Sequence, residues 1–289
     1  MDAIFFCHLL NSLLMLAIPV VLAIMLTRKW KLSWRFWFVG AATFILSQVG
    51  HIPFNALMTM LLGKTALSNL SASGAAIFNA VFLGLSAGLF EELFRYGMFR
   101  WWLKDARSWR KAVLAGAGHG GGEAVILGGL TLFAFLQMAV LRNMDLASQF
   151  TGDALVTVQQ QVAAYWSLPW YDSILGAVER LFTVVIQISF AVIVAQAFLR
   201  RQSFWVWLAV GYHALVDAAS VWLVGKVSVY WVEGLVGVFA LISLVIIFAL
   251  RKPEPQPASV SEPLPAPVEV PAVGEVDPTL EQIENSKYQ

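Results

Sequence analysis

Seven apolar runs, each long enough to cross a bilayer as a helix, follow one another through the first 250 residues of the chain. A span needs about 20 mostly apolar residues. By that rule the runs fall at about 4–26, 36–62, 75–100, 111–140, 173–199, 203–223 and 228–250. The expected fold is therefore all-α, a polytopic membrane protein. Composition agrees: only 13% of the residues are charged, about half the share of a soluble domain. The first run lacks a basic start and an A-x-A cleavage site, so it is read as a retained helix and not a signal peptide. Cys7 is the single cysteine, which excludes an intrachain disulfide.

Basic residues set the orientation. Arg28, Lys29, Lys31 and Arg35 follow the first run, and Lys104, Arg107, Arg110 and Lys111 follow the third. Arg200 and Arg201 follow the fifth, and Arg251 and Lys252 the seventh; the alternate loops hold only Lys64, Arg142 and Lys226. The positive-inside rule then puts the N-terminus outside and the C-terminus in the cytoplasm. The loop at 142–172 is the longest external one, with room for an interfacial helix. Residues 1–250 read as one transmembrane domain. Residues 251–289, rich in proline and glutamate, read as a disordered cytoplasmic tail.

Three pairs of ionisable residues interrupt the apolar runs: Glu91 with Glu92, His119 with Glu123, and His213 with Asp217. A charge at the centre of a membrane helix costs about 2.5–3.5 kcal/mol even on insertion scales, so such residues usually face a cavity and serve a function. Counted at a 1.5 Å rise, all six lie roughly 12–21 Å from the cytoplasmic face. That shared depth predicts a single site and, taken alone, cleavage near the inner face. His119–Glu123 and His213–Asp217 are i, i+4 pairs on one helix face. Arg95 stands within reach of either adjacent glutamate, so one can be held structurally while the other faces the cavity. The run Gly116–Gly122, broken only by Ala117 and His119, permits either close helix approach or an unwound turn. Glu179–Arg180 lies nearer the external end and reads as a structural ion pair. His8 and His51 read as satisfied core or interface residues.

These side chains support two hydrolytic schemes. Zinc accepts His nitrogen and carboxylate oxygen, with three protein ligands and one water in a catalytic site. His119, His213 and one of Glu123 or Asp217 supply such a set, with Glu91 or Glu92 as general base. Without metal, a carboxylate activates the water and the histidines stabilise the oxyanion. Intramembrane acids and histidines also suit a proton- or cation-coupled transporter, and an inactive scaffold could keep the same fold.

The motifs EExxR at Glu91–Arg95, HGxxE at His119–Glu123 and HxxxD at His213–Asp217, in this order on successive apolar runs, resemble the YhfC family of bacterial intramembrane metalloproteases. That family is related to the PrsW proteases and, more distantly, to the CAAX protease and Abi superfamily. The resemblance covers about residues 1–250. It implies an intramembrane endopeptidase of the bacterial plasma membrane that acts on a membrane-associated peptide or protein, with no nucleic-acid partner. It also implies a water-activating carboxylate at Glu91 or Glu92 oriented by Arg95. His119, Glu123, His213 and Asp217 would be the metal or oxyanion residues, and zinc the metal. The first motif is one residue shorter than the EExxxR of the CAAX branch, so prenyl-protein cleavage is not implied. Gln187 stands where relatives often carry a histidine.

Overall fold

The computed structural model describes residues 2–63 and 70–251; the proline-rich tail lies outside them. Nine α-helices and no strand occur among the described residues. Seven helices are long and apolar enough to cross a membrane: α1 (Ala3–Trp30), α2 (Arg35–Gly63), α3 (Ala72–Gly97), α4 (Trp109–Arg142), α7 (Leu175–Leu199), α8 (Phe204–Leu223) and α9 (Val229–Ala249). Each coincides with an expected run to within a few residues. A π-helical turn, Met98–Trp102, prolongs α3.

The short α5 (Leu146–Gln149) and the 15-residue α6 (Gly152–Trp166) occupy the long external loop and bury no residue. The C-terminal end of α6 is tied to the spans: Trp166 Nε1 donates to the Met138 carbonyl at 3.2 Å, and Tyr165 stacks on His8. His8 is thus an interface residue, as expected.

Helix α7 is the central one. It packs against α1, α3, α4, α8 and α9, and most of it is buried, including every residue from Ile186 to Ala197. The basic clusters collect at one end of the bundle. Arg35 contacts Trp102 and Asp105 across the first and second cytoplasmic loops, Arg107 lies over Phe198, and Arg251 over Trp109. At the other end Arg142 pairs with Asp2, and Tyr230 with Asp172. The residues that set the orientation therefore do share a face.

Glycines set the distances between helices that matter for the site. Helix α4 runs unbroken through its glycine run, so close approach is the outcome and not an unwound turn. A Cβ on Gly118 would stand 2.0 Å from the Trp37 carbonyl oxygen of α2, and one on Gly120 would stand 2.8 Å from the Gln187 Cβ of α7. His119, between them, is held where α2 and α7 both close on α4, and it is fully buried. On α3, Cβ atoms at Gly84 and Gly88 would meet backbone oxygens of α8 at 2.5 and 2.6 Å. That contact brings the Glu91–Glu92 turn against His213.

Candidate active site

The two adjacent glutamates of α3 diverge. Glu92 is fully buried and turned toward α8; its Oε1 accepts from His213 Nδ1 at 2.8 Å and lies 3.2 Å from Arg95 Nη1. Glu91 faces a cavity of about 260 Å³ that is also lined by Phe44, Gln48, Glu123, His213 and Asp217. Its Oε2 accepts from His119 Nε2 at 3.0 Å and stands 3.9 Å from His213 Nε2. Nε2 of His213 is also 3.5 Å from Asp217 Oδ2. One carboxylate thus holds a ring from behind while the other meets both rings from the front. Phe190 stacks on His213 with 4.4 Å between centroids, and Phe44 abuts His119 edge-on.

Arg95 is enclosed. Besides Glu92, it donates through Nη2 to Gln187 Oε1 at 2.6 Å and through Nη1 to the Gln187 carbonyl at 3.3 Å. Arg95 therefore orients the glutamate that supports His213, not the one that faces the cavity.

Gln187 is the junction of the site. While its Oε1 receives Arg95, its Nε2 donates to Glu91 Oε2 and to Glu123 Oε2, each at 3.2 Å. The amide has a donor and an acceptor at one end, and here both are used. It connects a cation to two carboxylates that a histidine could not serve in the same way.

Glu123 departs from its expected neighbours. Its Oε1 accepts from Arg180 Nη1 at 2.7 Å, so this carboxylate is tied to a guanidinium and to Gln187 and is not turned to a histidine. Arg180 also pairs with Glu179. The expected Glu179–Arg180 ion pair is present, but it does not lie apart from the site: Arg180 is buried and also holds Glu123. The helical signal for it was available, because Arg180 and Gln187 are seven residues apart and share a face of α7.

On the α2 side the network continues through Gln48, whose Nε2 donates to Glu91 Oε1 at 3.0 Å. His51 Nδ1 donates to Gln48 Oε1 at 3.2 Å, and Asn55 donates to His51 Nε2 at 2.9 Å. His51 is satisfied, as expected, but it supports a residue that touches Glu91.

The family model described as YhfC intramembrane metalloprotease matches residues 14–251. The chain belongs to the YhfC family. A curated relative, the uncharacterized membrane protein YhfC of Bacillus subtilis strain 168, is 28% identical over 228 residues, covering 76% of this chain and 84% of its own length. No solved structure matches. The family and the seven apolar helices together make this a multi-pass membrane protein.

The YhfC description implies a metal, and the donors present can be tested against one. Among the described residues, no three His, Cys, Asp or Glu side chains are drawn around a single point. In kind, however, the donors fit. The Nδ1 of His213 is held by a carboxylate, the usual arrangement behind a metal-ligating ring, and the Nε2 atoms of both histidines turn to Glu91, His213 lining the cavity and His119 fully buried beside it. Asp217 adjoins them. Glu123, committed to Arg180 and Gln187, is the member of the expected ligand set that fits least.

Proposed function

We propose that this protein is an intramembrane endopeptidase of the bacterial plasma membrane, with Glu91 as the group that activates water. The observation that carries this reading is the placement of Glu91 Oε2 at a cavity wall, facing the Nε2 atoms of two histidines. Membership of a family described as intramembrane metalloproteases supports it.

In the reaction, Glu91 takes a proton from water as the water oxygen bonds to the peptide carbonyl carbon. When the C–N bond breaks, Glu91 returns that proton to the leaving amine, so the products are a carboxylic acid and an amine. A positioned general base of this kind contributes about 10²–10⁴-fold. Glu92 and Arg95 have no room for substrate. They hold His213 with its Nε2 toward the cavity. Phe44 and Phe190 flank the rings and limit the space around them.

Zinc is the metal proposed. His119 and His213 would hold it together with Asp217, and it would polarise the carbonyl and make the water more acidic.

The test is cleavage of tagged single-span membrane peptides in proteoliposomes, read by mass spectrometry. The wild-type chain should release fragments and Glu91→Gln should not. Equal cleavage by Glu91→Gln would remove Glu91 from the mechanism.

One observation favours a second reading. From Glu123 the ionisable chain extends beyond the motif residues through Arg180 and Glu179, as a proton- or cation-coupled transporter would need. Toward the cytoplasm, however, the bundle is closed by Met98, Phe99, Leu103, Leu114, Ile193 and Val194, none more than 2% exposed. Such an apolar layer suits a hydrolytic chamber better than a path across the membrane. Substrate-dependent proton flux in proteoliposomes, lost in Glu123→Gln, would favour the transporter instead.

A further inference from the structure

Water must reach Glu91, and depth along α3 and α4 suggests the nearer, cytoplasmic face. The packing indicates the opposite. On the cytoplasmic side the site is covered by the apolar layer just described. Toward the outer face the covering is thin, because the helices differ in how far they extend past the site. Asp217 stands six residues before Leu223, the end of α8, hence about 9 Å below the outer end of that helix. Arg180 stands five residues after Leu175, where α7 begins, about 8 Å down. Helix α4 extends further outward: Glu123 is 14 residues, about 21 Å, from its cytoplasmic start at Trp109 and 19 residues, about 29 Å, from its outer end at Arg142, so the thin covering is that of α7 and α8.

A groove of about 570 Å³ between α7, α8 and α9 fills this outer region. Valines make up about half of its lining, and among them its walls carry Arg180, Glu179, Ser220 and Glu233; it ends at the α8–α9 loop around Gly225. It shares Glu123, Thr183, Val216 and Asp217 with the cavity that holds Glu91. Side-chain exposure rises in the same direction: 0% at Glu92, 8% at Glu91, 19% at Glu123, 37% at Asp217 and 40% at Glu179. Polar side chains at membrane depth are tolerated where they line a water-filled cavity.

We propose that the site is hydrated from the outer face, along the groove between α7, α8 and α9, and that this groove is its aqueous entrance. Glu123, fixed by Arg180, stands at the junction of groove and cavity. The inference does not depend on the reaction performed and applies equally to an inactive chain.

Thiol labelling tests it. In a Cys7→Ser background, Ser220→Cys samples the groove and Thr183→Cys the junction; Lys226→Cys and Lys104→Cys report the outer and cytoplasmic loops. A membrane-impermeant maleimide is applied to oriented vesicles from either side, with total thiol counted after denaturation. Ser220→Cys and Thr183→Cys should react from the side that labels Lys226→Cys and be protected from the side that labels Lys104→Cys. Reaction from the Lys104→Cys side, or from neither side, would overturn the proposal. Repeating the labelling in Glu91→Gln separates this result from any failure of the hydrolytic reading.

Discussion

His213 and Glu92 are joined by a 2.8 Å hydrogen bond between α8 and α3, and this bond divides the labour of the paired glutamates. The carboxylate behind the ring also answers Arg95 through the same oxygen, Oε1, so it is held by α8 and by its own helix together. Its neighbour, one residue earlier, faces the cavity. The two carboxylates should therefore fail differently when altered.

Glu92→Ala would leave Arg95 buried beside a vacated partner. Removing one member of a buried pair costs about 3–5 kcal/mol, so the variant should unfold at clearly lower temperature in detergent. Glu91→Gln keeps the shape and most of the hydrogen bonds. It should unfold near the wild-type temperature while losing cleavage by about 10²-fold or more. Thermal unfolding followed by intrinsic tryptophan fluorescence, read beside cleavage, distinguishes the two.

Gln187→Leu removes the amide that serves Arg95, Glu91 and Glu123 together. Each buried polar group left without a partner costs about 1–3 kcal/mol. The leucine variant should lose both stability and cleavage, and Gln187→Glu, which keeps an acceptor for Arg95 but sets a third carboxylate against Glu91 and Glu123, should not restore them. Equal stability of Gln187→Leu and wild type would contradict the bridging role.

Arg180 and Glu123 should be energetically coupled. In a double-mutant cycle, Arg180→Ala and Glu123→Ala should each destabilise, while the double variant costs less than their sum, by about 0.5–3 kcal/mol. Additive effects would mean that the 2.7 Å contact does not contribute.

Gly118→Ala places a Cβ 2.0 Å from the Trp37 carbonyl oxygen, whereas nothing lies within 4 Å of one on Gly129. Alanine gains about 1 kcal/mol over glycine in a helix interior. The substitution at 129 should therefore be neutral or stabilising. The one at 118 should force α2 from α4 and lower both unfolding temperature and activity.

Much of this architecture was legible in the residues. The seven spans follow from run length, and the meeting of Glu91, Glu92, His119 and His213 follows from their common depth. What depth along a helix does not report is direction around it. Glu123 shares a helix face with His119, yet its carboxylate extends to Arg180 on α7, a residue whose position nearer the outer end made it seem remote. Gln187 and Gln48 are neutral amides, without the charge that makes buried acids conspicuous, and only packing shows that they meet Glu91. The glycine run signalled closeness, but not which helices would come close. The outer groove depends on α8 ending soon after Asp217 and on the way α9 packs, which no motif encodes.

The most direct test of the central account is the metal content of detergent-purified protein, by mass spectrometry, for the wild-type chain and the His119→Ala/His213→Ala double variant. Roughly one zinc per chain, absent from a double variant that remains folded, is the expected result, in keeping with a single catalytic site. No metal in the wild-type chain after zinc is added back, with the fold intact, would contradict a metal site at these histidines.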